Sequence, residues 1–271
     1  CYVCHPSMCN DNLSGIVLLT QIAKHFKDLK NHYSIRFIFI PETIGAITWI
    51  HQNESNLSKI KHGLVATCLG DSGKFTYKKS RQGNAEIDKT VIKILKKSKV
   101  KFKTVDFFPW GSDERQFCSP GFDLPIGSLM RSMYGTEDFP EYHTSGDNLE
   151  YIKKESLEES FEKYLEIIKS LDKNKPDINF RNIKRKISKN SKLHKNLIQK
   201  CEPQLGKRGI YRILGGQNNN FEKRKNEFAI FWVLNLSDGT NSLKDIANRS
   251  NLPLKLIEIA ANVLIEKHLL K

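Results

Sequence analysis

Three short stretches, far apart in the chain, each set an ionisable side chain among turn-forming neighbours. They are His5-Pro6-Ser7-Met8-Cys9-Asn10-Asp11-Asn12-Leu13-Ser14-Gly15, Ile40-Pro41-Glu42-Thr43-Ile44-Gly45 and Pro140-Glu141-Tyr142-His143-Thr144-Ser145-Gly146-Asp147. Each polar group falls where an apolar strand pattern runs out, which is where open α/β sheets hold their ligands. Imidazole nitrogens and carboxylate oxygens are the natural ligands of a catalytic zinc, and a further free carboxylate serves as base. The chemistry these residue types point to is metal-assisted hydrolysis.

Taken singly, each residue has a plainer reading. Asp11 sits at a loop-to-helix junction, where Asp, Asn and Ser all act as N-caps, and His5 or His143 alone reads as a hydrogen-bonded structural histidine. His5 and Asp11 lie within six residues of each other, however, and a Pro-containing loop can turn both onto one ion. Glu42 follows a mostly apolar run, so its carboxylate loses solvent and must be hydrogen-bonded, metal-linked or raised in pKa. That is the environment of a general base. Asp147 reads most simply as a turn cap.

The elements that must position these groups alternate between helix and strand. Ile16, Val17, Leu19, Ile22, Ala23 and Phe26 recur at helical spacing over Ser14 to Leu29, and Tyr33 to Ile40 reads as a buried strand stopped by Pro41. Gly63 to Leu69, Phe75 to Lys79, Lys101 to Phe108 and Pro125 to Met130 read as further strands. Ile87, Val91, Ile92 and Leu95 mark a helix, and Trp110-Gly111-Ser112-Asp113-Glu114-Arg115 has turn and helix-start chemistry. Leu157 to Leu171 is a helix that closes an α/β domain over 1–175.

After Pro176 the composition turns basic and Asn-rich, which reads as a linker over 176–226. Between Arg181 and Lys225 there are 14 Lys/Arg against Glu202 and Glu222, so most of the +14 net charge falls in this segment. Three helical patterns follow within 227–271: Phe228 to Leu236, Leu243 to Arg249 and Leu254 to Leu264. With the phrase Ser242-Leu243-Lys244-Asp245-Ile246-Ala247, they resemble a winged helix-turn-helix.

The bulk properties bound the rest. A chain of 271 residues with 39% apolar content can build a real core and a second small domain. No run approaches a membrane span. Six cysteines (Cys1, Cys4, Cys9, Cys68, Cys118, Cys201) are scattered too widely for a disulfide scaffold, which favours a reducing cytoplasm. Cys1-Tyr2-Val3-Cys4 reads as the end of a strand already under way, so the α/β domain is expected to be N-terminally incomplete.

The order His, Asp, strand-end Glu and late Tyr-His-Thr resembles the zinc aminopeptidase and glutaminyl cyclase family of exopeptidases. His5-Pro6-Ser7, Pro41-Glu42-Thr43-Ile44-Gly45, Trp110 to Arg115 and Glu141-Tyr142-His143-Thr144-Ser145 are more specifically similar to a bacterial aminopeptidase-like branch. That branch carries a C-terminal winged helix and is often associated with surface-polysaccharide genes. The resemblance implies a mixed-sheet, phosphorylase/hydrolase-like α/β fold. It also implies a zinc centre in which His5 is the first ligand, Asp11 the bridging Asp, Glu42 the general base and His143 the last ligand. Two positions depart from the two-zinc pattern. Thr43 stands where a ligand Glu follows the base, and the second Asp falls at or near Cys68, with Asp71 close by. One zinc on His5, Asp11 and His143 is the favoured reading, and a second through Cys68 or Asp71 stays open. Arg115 is a candidate anchor for a substrate carboxylate and Tyr142 a candidate to steady an oxyanion.

The expected partner is a small peptide or amide substrate, with homo-oligomerisation left open. Two rivals remain. One is a ligand-sensing nucleic-acid-binding protein using the basic linker and winged helix, although Pro253 to Leu264 offers only Lys255 as a cation. The other is an amidase or deacetylase acting on amino sugars with the same water chemistry.

Overall fold

Helix α1 (Ser14–Phe26) begins directly behind the first motif and turns Leu18, Leu19, Ile22 and Phe26 inward. Its first turn fits closely against the sheet because Gly15 has no side chain. A Cβ there would lie 2.4 Å from Asn12 Oδ1 and 2.7 Å from the Ala66 carbonyl oxygen. The computed structural model describes residues 1–173, 193–210 and 221–271. They fall into two units: Cys1–Phe107, Ser112–Cys118 and Leu124–Pro176 form the first, and Phe108–Gly111, Ser119–Asp123 and Asp177–Lys271 the second.

The first unit is built on a four-stranded mixed sheet of β1 (Gly63–Ala66), β2 (Phe75–Lys78), β3 (Phe102–Val105) and β4 (Ile126–Met130), in the order β1-β4-β2-β3. β4 runs parallel to β1 and antiparallel to β2, which is parallel to β3. The two inner strands are buried at every position, as their short apolar runs require. Helices α1, α3 (Glu86–Lys97) and α5 (Lys154–Lys173) supply Ile22, Val91, Leu95, Tyr164 and Ile167 to the core around Phe75, Tyr77 and Leu129.

Two elements differ from the sequence expectation. Tyr33 to Ile40 forms no full ladder and is alternately exposed and half-buried; it pairs through one parallel bridge, Tyr2↔Ile40, flanked by hydrogen bonds to Cys1 and Val3. A strand needs a neighbour along its length, and among the described residues Cys1 to Val3 lies alongside. The residues after the second motif form helix α2 (Ile44–Gln52), whose β-branched sequence gives a weak helical signal.

The segment read as a linker, 176–226, lies outside the described residues except for 193–210 and 221–226. The second unit contains β5 (Leu193–Lys195), α6 (Phe221–Leu236), β6 (Asp238–Ser242), α7 (Leu243–Ser250) and α8 (Leu254–Glu266). Val233, Leu236, Ile246, Ile257, Ala261 and Leu264 form its centre. Ser242 and Asp245 make a reciprocal cap at the start of α7, and Asn251 at φ 55 turns the chain into α8. β5 and β6 pair antiparallel.

Candidate metal centre

The first motif becomes an irregular turn over Cys9–Leu13, in which Asp11 and Asn12 leave helical geometry and the Asp11–Asn12 peptide is cis. Polar side chains hold this buried turn in place. Asn10 Oδ1 accepts from the Gly70 N–H at 2.8 Å, and its amide donates to Asp71 Oδ2 at 3.0 Å. Asn12 donates to the Ala66 carbonyl at 2.9 Å. Asp147, 1% exposed, accepts the N–H groups of Asn10 at 2.6 Å and Asp11 at 2.9 Å. The turn cap expected at Asp147 is therefore a clamp on a loop 136 residues away. Burial raises the Asp147 pKa, and the N–H groups oppose that shift.

On this platform His5, Asp11 and His143 converge, with one ligand atom from each lying within 4.8 Å of the others. Asp11 Oδ2 is 3.1 Å from His143 Nε2 and 3.8 Å from His5 Nδ1. Both Asp11 Oδ2 and His143 Nε2 are buried without a hydrogen-bond partner among the described residues. Buried polar atoms are nearly always satisfied, so a carboxylate oxygen and an imidazole nitrogen left facing each other fit a cation between them. The donor set, two imidazoles and one carboxylate, matches a catalytic zinc with an open position. Tyr142 stacks on the His143 ring at 3.9 Å between centroids, and Cys4 Sγ lies 3.2 Å from His5 Nδ1.

Neither candidate for a second zinc joins this cluster among the described residues. Asp71 is taken up by structure, accepting from Gly73 N–H at 2.7 Å, Ser132 Oγ at 2.5 Å and Asn10. Cys68 is fully buried at φ 50, beside Thr67 Oγ1 at 3.2 Å. Burial, with Asp11 nearby, pushes its thiol well above the usual range.

Glu42 is half-buried at the start of a tight turn. Ile44 N–H bonds to the Glu42 carbonyl at 2.6 Å, and Thr43 adopts φ 60, ψ −68. Positive φ is costly for a β-branched residue. Two residues at the start of α4 (Glu114–Phe117) grip it: Asp113 accepts the Thr43 N–H at 2.7 Å, and Arg115 donates to Thr43 Oγ1 at 3.2 Å. Asp113 thus serves the Glu42 turn instead of capping its own helix. Arg115, the candidate substrate anchor, has this contact as well. Burial first, then the charges of Asp113 and Asp11, raise the Glu42 pKa to about 8 against the pull of Arg115. Asp113 is itself raised to about 6, mainly by burial. Below them Lys78 and Glu114 form an ion pair at 2.5 Å with both side chains wholly buried.

Sequence reasoning missed Tyr2, whose hydroxyl donates to Asp11 Oδ1, and the positioning roles of Asn10, Asn12 and Asp113. The alternation Asn10-Asp11-Asn12 was the available signal, since two amides beside one acid can tie a loop down. Nothing local marks Tyr2.

With this geometry, comparison places the chain. The family model described as a domain of unknown function, DUF4910, matches residues 1–174, and a winged helix-turn-helix model matches residues 192–271. The chain belongs to the DUF4910 family, with the α/β fold of the zinc aminopeptidases and a C-terminal winged helix. A protein of Clostridium acetobutylicum provisionally named a polysaccharide biosynthesis protein with aminopeptidase-like domain is 53% identical over 270 residues. That match covers all of this chain and 57% of the relative. A crystal structure of a provisionally assigned peptidase from the same organism matches with TM-score 0.61 at 50% identity, covering 100% of this chain and 56% of that one. The chain thus spans about half the length of these relatives. BSAP, a zinc aminopeptidase from Bacillus subtilis, shares the fold at TM-score 0.52 and 19% identity, over 62% of this chain and 43% of its own. No described helix is long and apolar enough to cross a membrane.

Proposed function

We propose that this chain carries the site of a zinc-dependent hydrolase of the aminopeptidase-like kind, cleaving an amide or peptide bond in a small substrate. The observation that carries the reading is the convergence of Asp11 Oδ2, His143 Nε2 and His5 Nδ1, two of them buried without a hydrogen bond. His5, Asp11 and His143 would hold one zinc. When bound, zinc supplies Lewis acidity and makes a water acidic enough to attack near neutral pH. Glu42 takes the proton from the attacking water and delivers it to the leaving amine. A carboxyl raised to about 8 releases that proton readily to an amine, and a neighbouring cation brings its pKa down toward the working range. Tyr142 keeps its hydroxyl proton, because burial and nearby acids raise its pKa, and so can donate to an oxyanion. Asp113 and Arg115 hold the turn that presents Glu42.

Similarity to a provisionally assigned peptidase supports the peptidase reading over an amino-sugar amidase, which would use the same residues. For the winged helix we favour a packing or protein-contact role over nucleic-acid binding. Along α8, Lys255 and Asn262 are exposed beside Leu254, Glu258, Ile259, Ile265 and Glu266. Two acids against one cation disfavour phosphate, and aliphatic side chains offer no hydrogen bonds to base edges.

The test is a panel of aminoacyl anilides and short peptides with zinc-loaded and chelated protein. Zinc-dependent turnover is expected, and Glu42→Gln should keep zinc yet lose hydrolysis by about 100-fold or more. Unchanged turnover in that variant removes Glu42 as base. A salt-dependent DNA shift by protein that binds no zinc would favour the rival.

A further inference from the structure

The two oxygens of Asp11 face different surroundings. Oδ2 lies toward His5 and His143 and has no hydrogen bond. Oδ1 accepts from the Tyr2 hydroxyl. Tyr2 Oη in turn lies 2.6 Å from Thr67 Oγ1, and Thr67 Oγ1 lies 3.2 Å from Cys68 Sγ. All four residues are buried, with Tyr2 the most exposed at 2%.

Proton counting fixes the direction of this chain. A hydroxyl carries one proton, and Tyr2 gives its own to Asp11, so it must accept from Thr67. Thr67 has then used its proton and must accept from the Cys68 thiol. The bonds therefore run head to tail, Cys68 to Thr67 to Tyr2 to Asp11, ending on Oδ1. The phenol takes one lone pair of Oδ1 and fixes the tilt of the carboxylate, so that Oδ2 is the oxygen turned toward the imidazoles. Cys68, which stands near where the family resemblance puts a second carboxylate ligand, spends its S–H on Thr67.

We propose that the Tyr2–Thr67–Cys68 chain holds Asp11 through Oδ1 and presents Oδ2 to His5 and His143, with Tyr2 as the orienting residue of the centre. The proposal rests on the reading that His5, Asp11 and His143 bind zinc, and it concerns a residue that does not touch the ion. Tyr2 acts as a positioning residue, because outer partners fix which lone pair a ligand presents.

The test is zinc titration of the whole chain against a chromophoric chelator, with cobalt(II) as a spectroscopic stand-in. Wild type should bind one ion. Tyr2→Phe, which keeps the ring in the core, should bind zinc about 10–100-fold more weakly. Its cobalt absorption bands should shift as Asp11 rotates. Thr67→Val should weaken binding in the same direction, and Thr67→Ser, which keeps the hydroxyl, should restore it. Wild-type affinity and cobalt spectrum in both Tyr2→Phe and Thr67→Val would overturn the proposal, while leaving the zinc reading intact. Absence of any binding by wild type would remove both together.

Discussion

Replacing Asp147 by Ala tests whether the metal loop is held from the far end of the chain. Its carboxylate accepts two buried backbone N–H groups, from Asn10 at 2.6 Å and Asp11 at 2.9 Å, on a side chain 1% exposed. A hydrogen bond to a charged acceptor contributes about 1.5–3 kcal/mol, and a buried donor left unpaired costs about 1–3 kcal/mol. Losing the shared acceptor for both N–H groups should therefore destabilise the α/β unit by roughly 3–5 kcal/mol. For a unit of this size that is a fall in Tm of about 10 °C. Asp147→Asn keeps one acceptor but turns its amide toward the other N–H, so it should lose about half as much. The assay is urea unfolding followed by tryptophan fluorescence, with zinc affinity measured in parallel. Because the N–H groups belong to Asn10 and Asp11, zinc binding should weaken in step with stability. A loss under about 1 kcal/mol for Asp147→Ala, within the range of ordinary surface changes, would refute the reasoning.

Three further outcomes follow, two from buried charges and one from a helix cap. Glu42 and Asp113 have raised pKa values, so the fold favours their protonated forms. Their contribution to stability is complete below the ordinary carboxylate range and is lost as pH rises through about 6 for Asp113 and about 8 for Glu42. The Tm of metal-free protein should fall across that window, and Glu42→Gln should flatten its upper part; an equally steep fall in the variant would contradict the assignment. Glu114→Ala removes the carboxylate from the buried Lys78 ammonium and should cost about 3–5 kcal/mol, whereas replacing both residues with apolar ones of similar size should cost much less; equal losses in a denaturant series would count against a charge-based account. In the second unit, Ser242→Ala removes the reciprocal cap of α7 and should cost about 1 kcal/mol in thermal unfolding, so an unchanged Tm would show the cap to be idle.

The legible parts of the fold were those with a strong period. α1, α3, α5 and the four sheet strands follow from apolar spacing, because each buries one face or both in a shared core. α7 and α8 were readable from Ser242 and the Asn251–Pro253 turn. For Tyr33 to Ile40 the β-branched composition signals a strand but not its neighbour, and among the described residues it pairs through the Tyr2↔Ile40 bridge. At the site, His5, Asp11, Glu42 and His143 stood out because ionisable groups at the ends of apolar runs are expensive without a purpose. Their supports did not stand out. Tyr2, Asp113 and Asp147 act across 9, 70 and 136 or 137 residues of sequence, and separations of that kind leave no local pattern. Asp71, a nearby acid that was a candidate ligand, is instead consumed by Ser132, Gly73 and Asn10.

The most direct test of the central claim is a crystal of this protein grown with zinc, with diffraction recorded on both sides of the zinc absorption edge. One anomalous peak is expected, within about 2.0–2.2 Å of Asp11 Oδ2 and of one nitrogen each from His5 and His143. No peak at that position, or a peak bound by other residues, would contradict the account.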